Sequence, residues 1–344
     1  MSSSEQTTTG PLGLDVGTSR IVAARRDDKK YKFDAQLNAF ITLPYSRLTE
    51  SLLQKEDVFH EVEGDEIVVA GNDAQKFAEV FHVETRRPML RGVLNPHEPH
   101  SLAVVRRIIT KLLGKAGAED NTAYFSVPAP VDNEEEGLEY HEASIRRILT
   151  NLGYNASPIE EGLTVVFGEL VESNYSGLGI SCGSGLCNVC LAELSVPVIS
   201  FSIPKAGDFI DTHAAAVTGE TATRMRVQKE QTFQMTGQEG DRVQNALTVY
   251  HDDVIRTLTN TLRSKIASAQ RLPKLNRPIP VVLSGGTAMP KGFLDRFTTA
   301  LRTKDFPVRI SEVRLSADPL NSTARGALMA VLANAKAYTS AVGA

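Results

Sequence analysis

The residues best suited to chemistry form one short run, Asp15-Val16-Gly17-Thr18-Ser19-Arg20. A glycine at a tight turn lets the backbone approach a ligand, successive amides can converge on one anion, and Thr18 and Ser19 add hydroxyl donors. These are the requirements of a triphosphate. Asp15, just ahead of the turn, is placed to hold the water shell of a Mg²⁺ that bridges the phosphates. A second run, Ser181-Cys182-Gly183-Ser184-Gly185, has the same form and would clasp the phosphates from the opposite side. In a third, the apolar run Val281–Leu283 leads to Ser284 and then to Gly285 and Gly286, whose bare backbone suits a flat group. Thr287 and Met289 follow, and Pro290 is expected to open a helix with Phe293, Phe297 and Leu301 facing inward.

The first two runs belong to an internal repeat. LGLDVGTSRIVAA (12–24) and LGISCGSGLCNVC (178–190) align without a gap at an offset of 178 − 12 = 166. Each copy is an apolar run, a glycine-containing polar tip and a second apolar run, the pattern of a β-hairpin, so the chain is expected to be a duplication. Helical periods follow each copy. Leu102, Val105, Ile109 and Leu112 are closed by Gly114, His141 to Leu152 by Gly153, and a longer stripe runs from Val243 to Ala269. Short strand-like runs at Ile67–Ala70, Ala123–Val127, Val196–Ile203 and Val281–Leu283 alternate with them. Strands interleaved with helices predict an α/β protein, with a join between halves near Asn155–Pro158.

Composition removes several alternatives. The 344 residues are 42% apolar, enough for a large core, and the net charge of 37 − 41 = −4 comes without a basic block. Nucleic acid is therefore not an expected partner. No apolar stretch approaches the roughly 18–20 residues that span a bilayer. The first nine residues lack the features of a secretory signal and are read as a solvated tail, which places the protein in the cytoplasm. Cys182, Cys187 and Cys190 have no fourth ligand for zinc or an iron–sulfur cluster, so they are read as small buried thiols. No G-x-x-x-x-G-K-[ST] phosphate loop occurs.

LGLDVGTSR resembles the first phosphate loop of the actin-like ATPases, and VVLSGGTAMPKGF resembles their adenosine loop. VVAGNDAQKF, RPMLRGVL, SVPAP, GDFID, TGETATRMRVQKEQ and ADPLNSTARGALMAV are similar to bacterial actins of the MreB and MamK type, so the likeness spans nearly the whole chain. The resemblance implies a two-lobed α/β fold in which duplicated RNase-H-like domains enclose a nucleotide cleft. Lobe I would cover 11–155 with an insertion at about 41–85, and lobe II 156–320 with an insertion at about 208–245. A tail at 1–10 would precede them, and a helix at 321–344 would return to lobe I. The same resemblance implies ATP and Mg²⁺, slow hydrolysis, self-assembly into head-to-tail filaments, and accessory or cargo proteins as further partners.

Carried over residue by residue, Asp15, Gly17, Thr18, Ser19, Arg20, Gly183, Ser184 and Gly185 would surround the phosphates, with Asp15 at the metal. Gly285, Gly286, Thr287 and Met289 would border the base. Glu161 and Glu139 are the candidates for positioning the attacking water. Two departures from the family pattern are visible. Ser181 stands opposite Asp15 where relatives carry an aspartate. Loss of a group placed for a transition state typically costs about 2.7–4 kcal/mol, or two to three decades in rate. Thr223 and Arg226 occupy the places of a ribose-binding Glu and a Lys near adenine, so ATP over GTP is an inherited expectation. The alternative reading is a nucleotide-binding switch or scaffold of the same fold with little hydrolysis and no filament. Phe77, Val80 and Phe81 are read as a helix packing on its own lobe, not as a lipid-binding loop.

Overall fold

The computed structural model describes residues 7–8, 10–28, 30–117, 120–131, 137–235, 241–269, 277–302 and 306–342. Strand β1 (Leu12–Val16) turns into β2 (Arg20–Asp27), and β3 (Lys30–Leu37) completes an antiparallel meander. An inserted three-stranded sheet follows: β4 (Phe40–Pro44), helix α1 (Arg47–Lys55), β5 (His60–Glu63), β6 (Glu66–Ala70) and helix α2 (Asn72–Phe81). Helix α3 (Ser101–Leu113) leads to β7 (Thr122–Val127), α4 (Leu138–Asn151) to β8 (Asn155–Glu160), and β8 runs straight into α5 (Glu161–Glu169).

The second half repeats the plan. It runs through β9 (Gly177–Cys182), β10 (Cys187–Glu193) and β11 (Val196–Ile203) to helices α6 (Gly207–Thr218), α7 (Ala222–Gln231) and α8 (Arg242–Ser268). Then come β12 (Ile279–Ser284), α9 (Phe293–Leu301), β13 (Ile310–Leu315) and α10 (Ser322–Val342).

The strand orders are β3-β2-β1-β7-β8 and β11-β10-β9-β12-β13, one topology used twice. In both, the first three strands are antiparallel and the last two run parallel to the first. The duplication holds down to register. Asp15 faces Val22 and Val16 faces Ile21, while Ser181 faces Asn188 and Cys182 faces Cys187, each shifted by 166. The turns also agree: Gly17 N donates to Arg20 O at 3.0 Å, and Gly183 N to Leu186 O at 2.9 Å. Central strands such as LGLDV and GLGISC are nearly continuously buried because helices cover both faces, as parallel sheets require. Each sheet has its own core, one around Leu14, Val105 and Phe125, the other around Ile180, Leu258 and Phe293.

The helices that end each half are exchanged. Helix α5 follows the first sheet but packs on β9 and β10, whereas α10 follows the second sheet and packs on β1 and β7. Repeated glycines explain how they come so close. A Cβ on Gly13 would strike Ala324 O and Leu328 N of α10, and one on Gly179 would strike Gly162 O of α5. A Cβ on Gly326 would overlap Thr164 O, so α5 and α10 also meet backbone to backbone. Glu169 fastens this crossing. Its carboxylate accepts from Arg314 at 2.7 Å, Ser316 at 2.7 Å and Arg325.

Several sequence expectations need adjustment. The stretch Asn155–Pro158, expected to join the halves, lies in the edge strand β8, paired in parallel with β7, and the chain passes between sheets through α5. The stripe of α3 is shifted: Val104, Val105, Ile108 and Ile109 are buried while Leu102 is exposed. Helix α9 begins at Phe293, not Pro290, because Gly292 at φ 95° breaks the chain direction just before it. Phe77 is buried in α2 as expected, although Val80 is exposed. The three cysteines are buried and free. Of the expected tail, residues 1–6 and 9 lie outside the described residues, and Thr7–Thr8 pair with Lys115–Ala116.

Forcing a methyl group between β1 and α10 is overpacking, which typically costs about 1–3 kcal/mol. Gly13→Ala is therefore expected to lower the free energy of unfolding measured by urea titration by about 1–3 kcal/mol.

Candidate functional site

The residues singled out from sequence collect at the C-terminal ends of the parallel strands, where open α/β sheets bind ligands. Asp15 ends β1, Ser126 ends β7, Glu161 follows β8, Ser181 and Cys182 end β9, and Ser284 ends β12. The two repeat turns face each other there. A Cβ on Gly185 would collide with Thr18 Oγ1, and Gly92 N donates to that same hydroxyl at 3.0 Å. Thr18 keeps its own proton free to donate. The hydroxyl of Ser184 is buried and has no hydrogen-bond partner. A buried donor without a partner among the described residues, on a glycine turn, has the chemistry to meet an anion's oxygen.

The third loop closes against the second. Gly285 adopts φ 88° and lies on the backbone of Cys182 with no room for a Cβ. Thr287, also buried, donates to Gly183 O at 2.6 Å, so its hydroxyl ties the two loops together. Gly286 packs near Leu320, and Met289 is exposed at the rim.

Behind the turns lie two carboxyl groups. Asp15 Oδ1 accepts from Ser126 Oγ at 2.9 Å, and that hydroxyl in turn accepts from Val16 N at 2.9 Å. Burial raises Asp15 to about 6, opposed by the Ser126 bond and by the charge of Arg20. Glu161, the first residue of α5, is pushed up to about 8, first by burial and then by the charge of Asp15. Its Oε2 accepts from Asn188 Nδ2 at 2.8 Å and from Ser181 Oγ at 3.4 Å. A buried carboxyl beside a half-buried, charged one fits a proton or a cation nearby. Among the described residues no three His, Cys, Asp or Glu side chains gather as a metal cage. A Mg²⁺ at Asp15 would thus take most of its ligands from phosphate and water, its usual habit.

Not every candidate is brought in. Glu139 is exposed on α4, where it lines an open groove with Glu142, Arg146 and Arg147. The acidic stretch Glu134–Glu136 lies outside the described residues. Thr223 is exposed on α7, whereas Arg226 lies close enough to Arg87 and Asp211 to shift both.

Four residues of this arrangement escaped the sequence reading: Ser126, which donates to Asp15, and three others. Arg87 donates to Thr18 O at 3.3 Å and lies 3.9 Å from Asp208 at the start of α6, spanning the two lobes. Asn38, fully buried, donates from Nδ2 to Gly17 O at 3.0 Å and holds the first turn. Asn188 is the third. Arg87 and Gly92 lie within RPMLRGVL, a segment noted only for its likeness, and Asn188 was legible as a lone amide in an apolar strand.

Two sheets of one topology, exchanged helices and facing glycine turns define the two-lobed actin-like fold. The chain belongs to the Volactin family, whose profile matches residues 11–331. No curated protein matches it. Among solved structures it is similar to a MamK double helical filament, with a TM-score of 0.73 at 18% identity over 94% of this chain and 99% of that one. MreB5 of Spiroplasma citri bound to AMPPNP gives 0.67 at 13% identity over 98% and 100%. The ethanolamine utilization protein EutJ from Carboxydothermus hydrogenoformans gives 0.54 at 16% identity over 92% and 88%. Among the described residues no helix is long and apolar enough to cross a membrane.

The raised carboxyls make a signed prediction. A carboxyl held above its unfolded value binds its proton more tightly when folded, so its stabilisation is full below about pH 4 and is lost as pH rises through the folded value. The buried His141 and His251, pushed down to about 4 and about 3, act in the opposite sense, adding stability as the last unfolded imidazolium, about a quarter at pH 7, loses its proton. Between pH 7 and 8 the fall belongs chiefly to Glu161, whose folded value is about 8, because the thiols of Cys187 and Cys190, also raised, ionise in the unfolded chain only near about 8.5. The melting temperature of the ligand-free protein is expected to drop across that interval, and Glu161→Gln to flatten the drop.

Proposed function

We propose that this protein is an actin-like cytoskeletal protein of the cytoplasm that binds Mg-ATP between its lobes, polymerises head to tail and hydrolyses the nucleotide slowly. The observation that carries the reading is the meeting of the two repeat turns at Thr18 and Gly185, with an unpaired Ser184 hydroxyl beside them and Asp15 and Glu161 behind. Support also comes from neighbours described as a double helical filament and as bound to AMPPNP. Accessory or cargo proteins would be further partners.

In this reading Gly17 to Arg20 and Gly183 to Gly185 hold the phosphates. Gly285, Gly286 and Met289 border the base, and Arg226, with Thr223 at the edge, takes the sugar side. Asp15 holds the water shell of Mg²⁺, which when bound supplies positive charge against the phosphates. Glu161 orients the attacking water and accepts its proton. Burial keeps Glu161 largely protonated at neutral pH, and a Mg²⁺ held at Asp15 would supply positive charge that favours its carboxylate form. Ser181 donates to Glu161 at 3.4 Å and brings no charge, which supports slow turnover.

Sedimentation and negative-stain microscopy with and without Mg-ATP test the assembly. Filaments are expected with nucleotide, and a protein that stays monomeric at tens of micromolar while binding ATP would instead select the switch reading. Ser181→Asp, which restores a carboxylate opposite Asp15, is expected to raise phosphate release about tenfold or more. An unchanged rate would remove Ser181 from the metal's surroundings.

A further inference from the structure

We propose that Asn188 is a positioning residue that reads the approach of the two lobes and aims the Glu161 carboxylate; the inference rests on the nucleotide reading above. Asn188 lies on β10 and is 1% exposed, and every group near its amide is fixed. Its Oδ1 accepts from Ala129 N at 3.0 Å and lies 2.6 Å from Ser202 Oγ, while Nδ2 donates to Glu161 Oε2 at 2.8 Å. A backbone N–H can only donate, so the atom facing Ala129 must be the oxygen. That removes the usual ambiguity in a side-chain amide and leaves the nitrogen facing Glu161.

The three partners come from different parts of the fold. Ala129 belongs to the segment leaving β7 of the first sheet, Ser202 to β11 of the second, and Glu161 opens the helix that crosses between them. The same first-sheet segment is tied to the second sheet by Ser202 N donating to Pro130 O at 3.0 Å. Ser202 Oγ also lies 2.7 Å from Ala129 O, and its single proton can serve only one acceptor at a time. Parting the lobes breaks the Ala129 bond, leaves Oδ1 held only by Ser202 of its own sheet and so loosens the aim of the amide at Glu161. Closing them restores it.

The position has no equivalent in the first copy. Its repeat partner, at 188 − 166 = 22, is Val22, which packs under Ala324 and Leu328 of α10. Each copy presents this residue to the exchanged helix, and only the second presents an amide, to the helix that starts with Glu161.

Asn188→Asp separates this role from a packing role. It keeps the size and still accepts from Ala129 and Ser202, but turns the atom facing Glu161 into an acceptor. In single turnover with protein in excess, phosphate release is expected to fall about tenfold or more, with the Kd for a fluorescent ATP analogue unchanged within about twofold. Ser202→Ala, which leaves Asn188 in place and serves if Asn188→Asp does not fold, is expected to slow release about two- to fivefold. The double variant should be no slower than Asn188→Asp, because both act through one amide. A wild-type rate in both single variants, additive losses, or a loss confined to nucleotide affinity overturns the assignment. So does a wild-type protein that binds nucleotide and releases no phosphate. A wild-type protein that binds no nucleotide overturns the reading beneath it.

Discussion

Backbone-to-backbone contact between α5 and α10, and between each of them and a central strand, sets the geometry of everything else. Gly13, Gly162, Gly179 and Gly326 occupy positions where a Cβ would strike main-chain atoms. The closeness sets how near the two sheets lie at the crossing, and that nearness is what lets Thr18 meet Gly185. Had the helices stood off by a side chain's width, the two turns would still form but would no longer meet. Glu169, held by Arg314, Arg325 and Ser316, keeps the crossing in register by charge as well as by shape. Its carboxylate is buried, and such a group is tolerated because it is fully paired.

The electrostatics of the site follow from that enclosure. Glu161 is buried and Asp15 half-buried, the charge of Asp15 makes Glu161 harder to ionise, and neutral donors surround them: Ser126 on one side, Ser181 and Asn188 on the other. Where a third carboxylate would have increased the repulsion, Ser181 contributes a hydroxyl. The arrangement takes up protons readily and is receptive to positive charge.

Much of this was legible in the residues. The repeat at an offset of 166 foretold two hairpins, and their registers agree pair by pair. Gly17 and Gly183 were readable as turn residues because tight turns restrict residue choice locally. Gly13 and Gly179 were equally visible in the repeat, yet their reason was not, because it lies in helices far along the chain. The same distance hid Arg87 and Asn188, whose partners Thr18, Asp208, Ala129 and Glu161 come from other elements. Glu139 misled for the opposite cause. A helix start after a V-P segment fixes where the helix begins but not which face its acid presents. The Asn155–Pro158 stretch, with its proline, looked like a joint, but strand β8 lies at the sheet's edge, where proline is tolerated.

The exchange of α5 and α10 has a consequence for synthesis. The first sheet is complete once Glu160 has been made, yet the face of β1 that receives Ala324 and Leu328 stays bare until the last helix leaves the ribosome. Half of the molecule must therefore wait, with apolar surface uncovered, for about 160 further residues. A nascent chain in that condition is a natural client for chaperones.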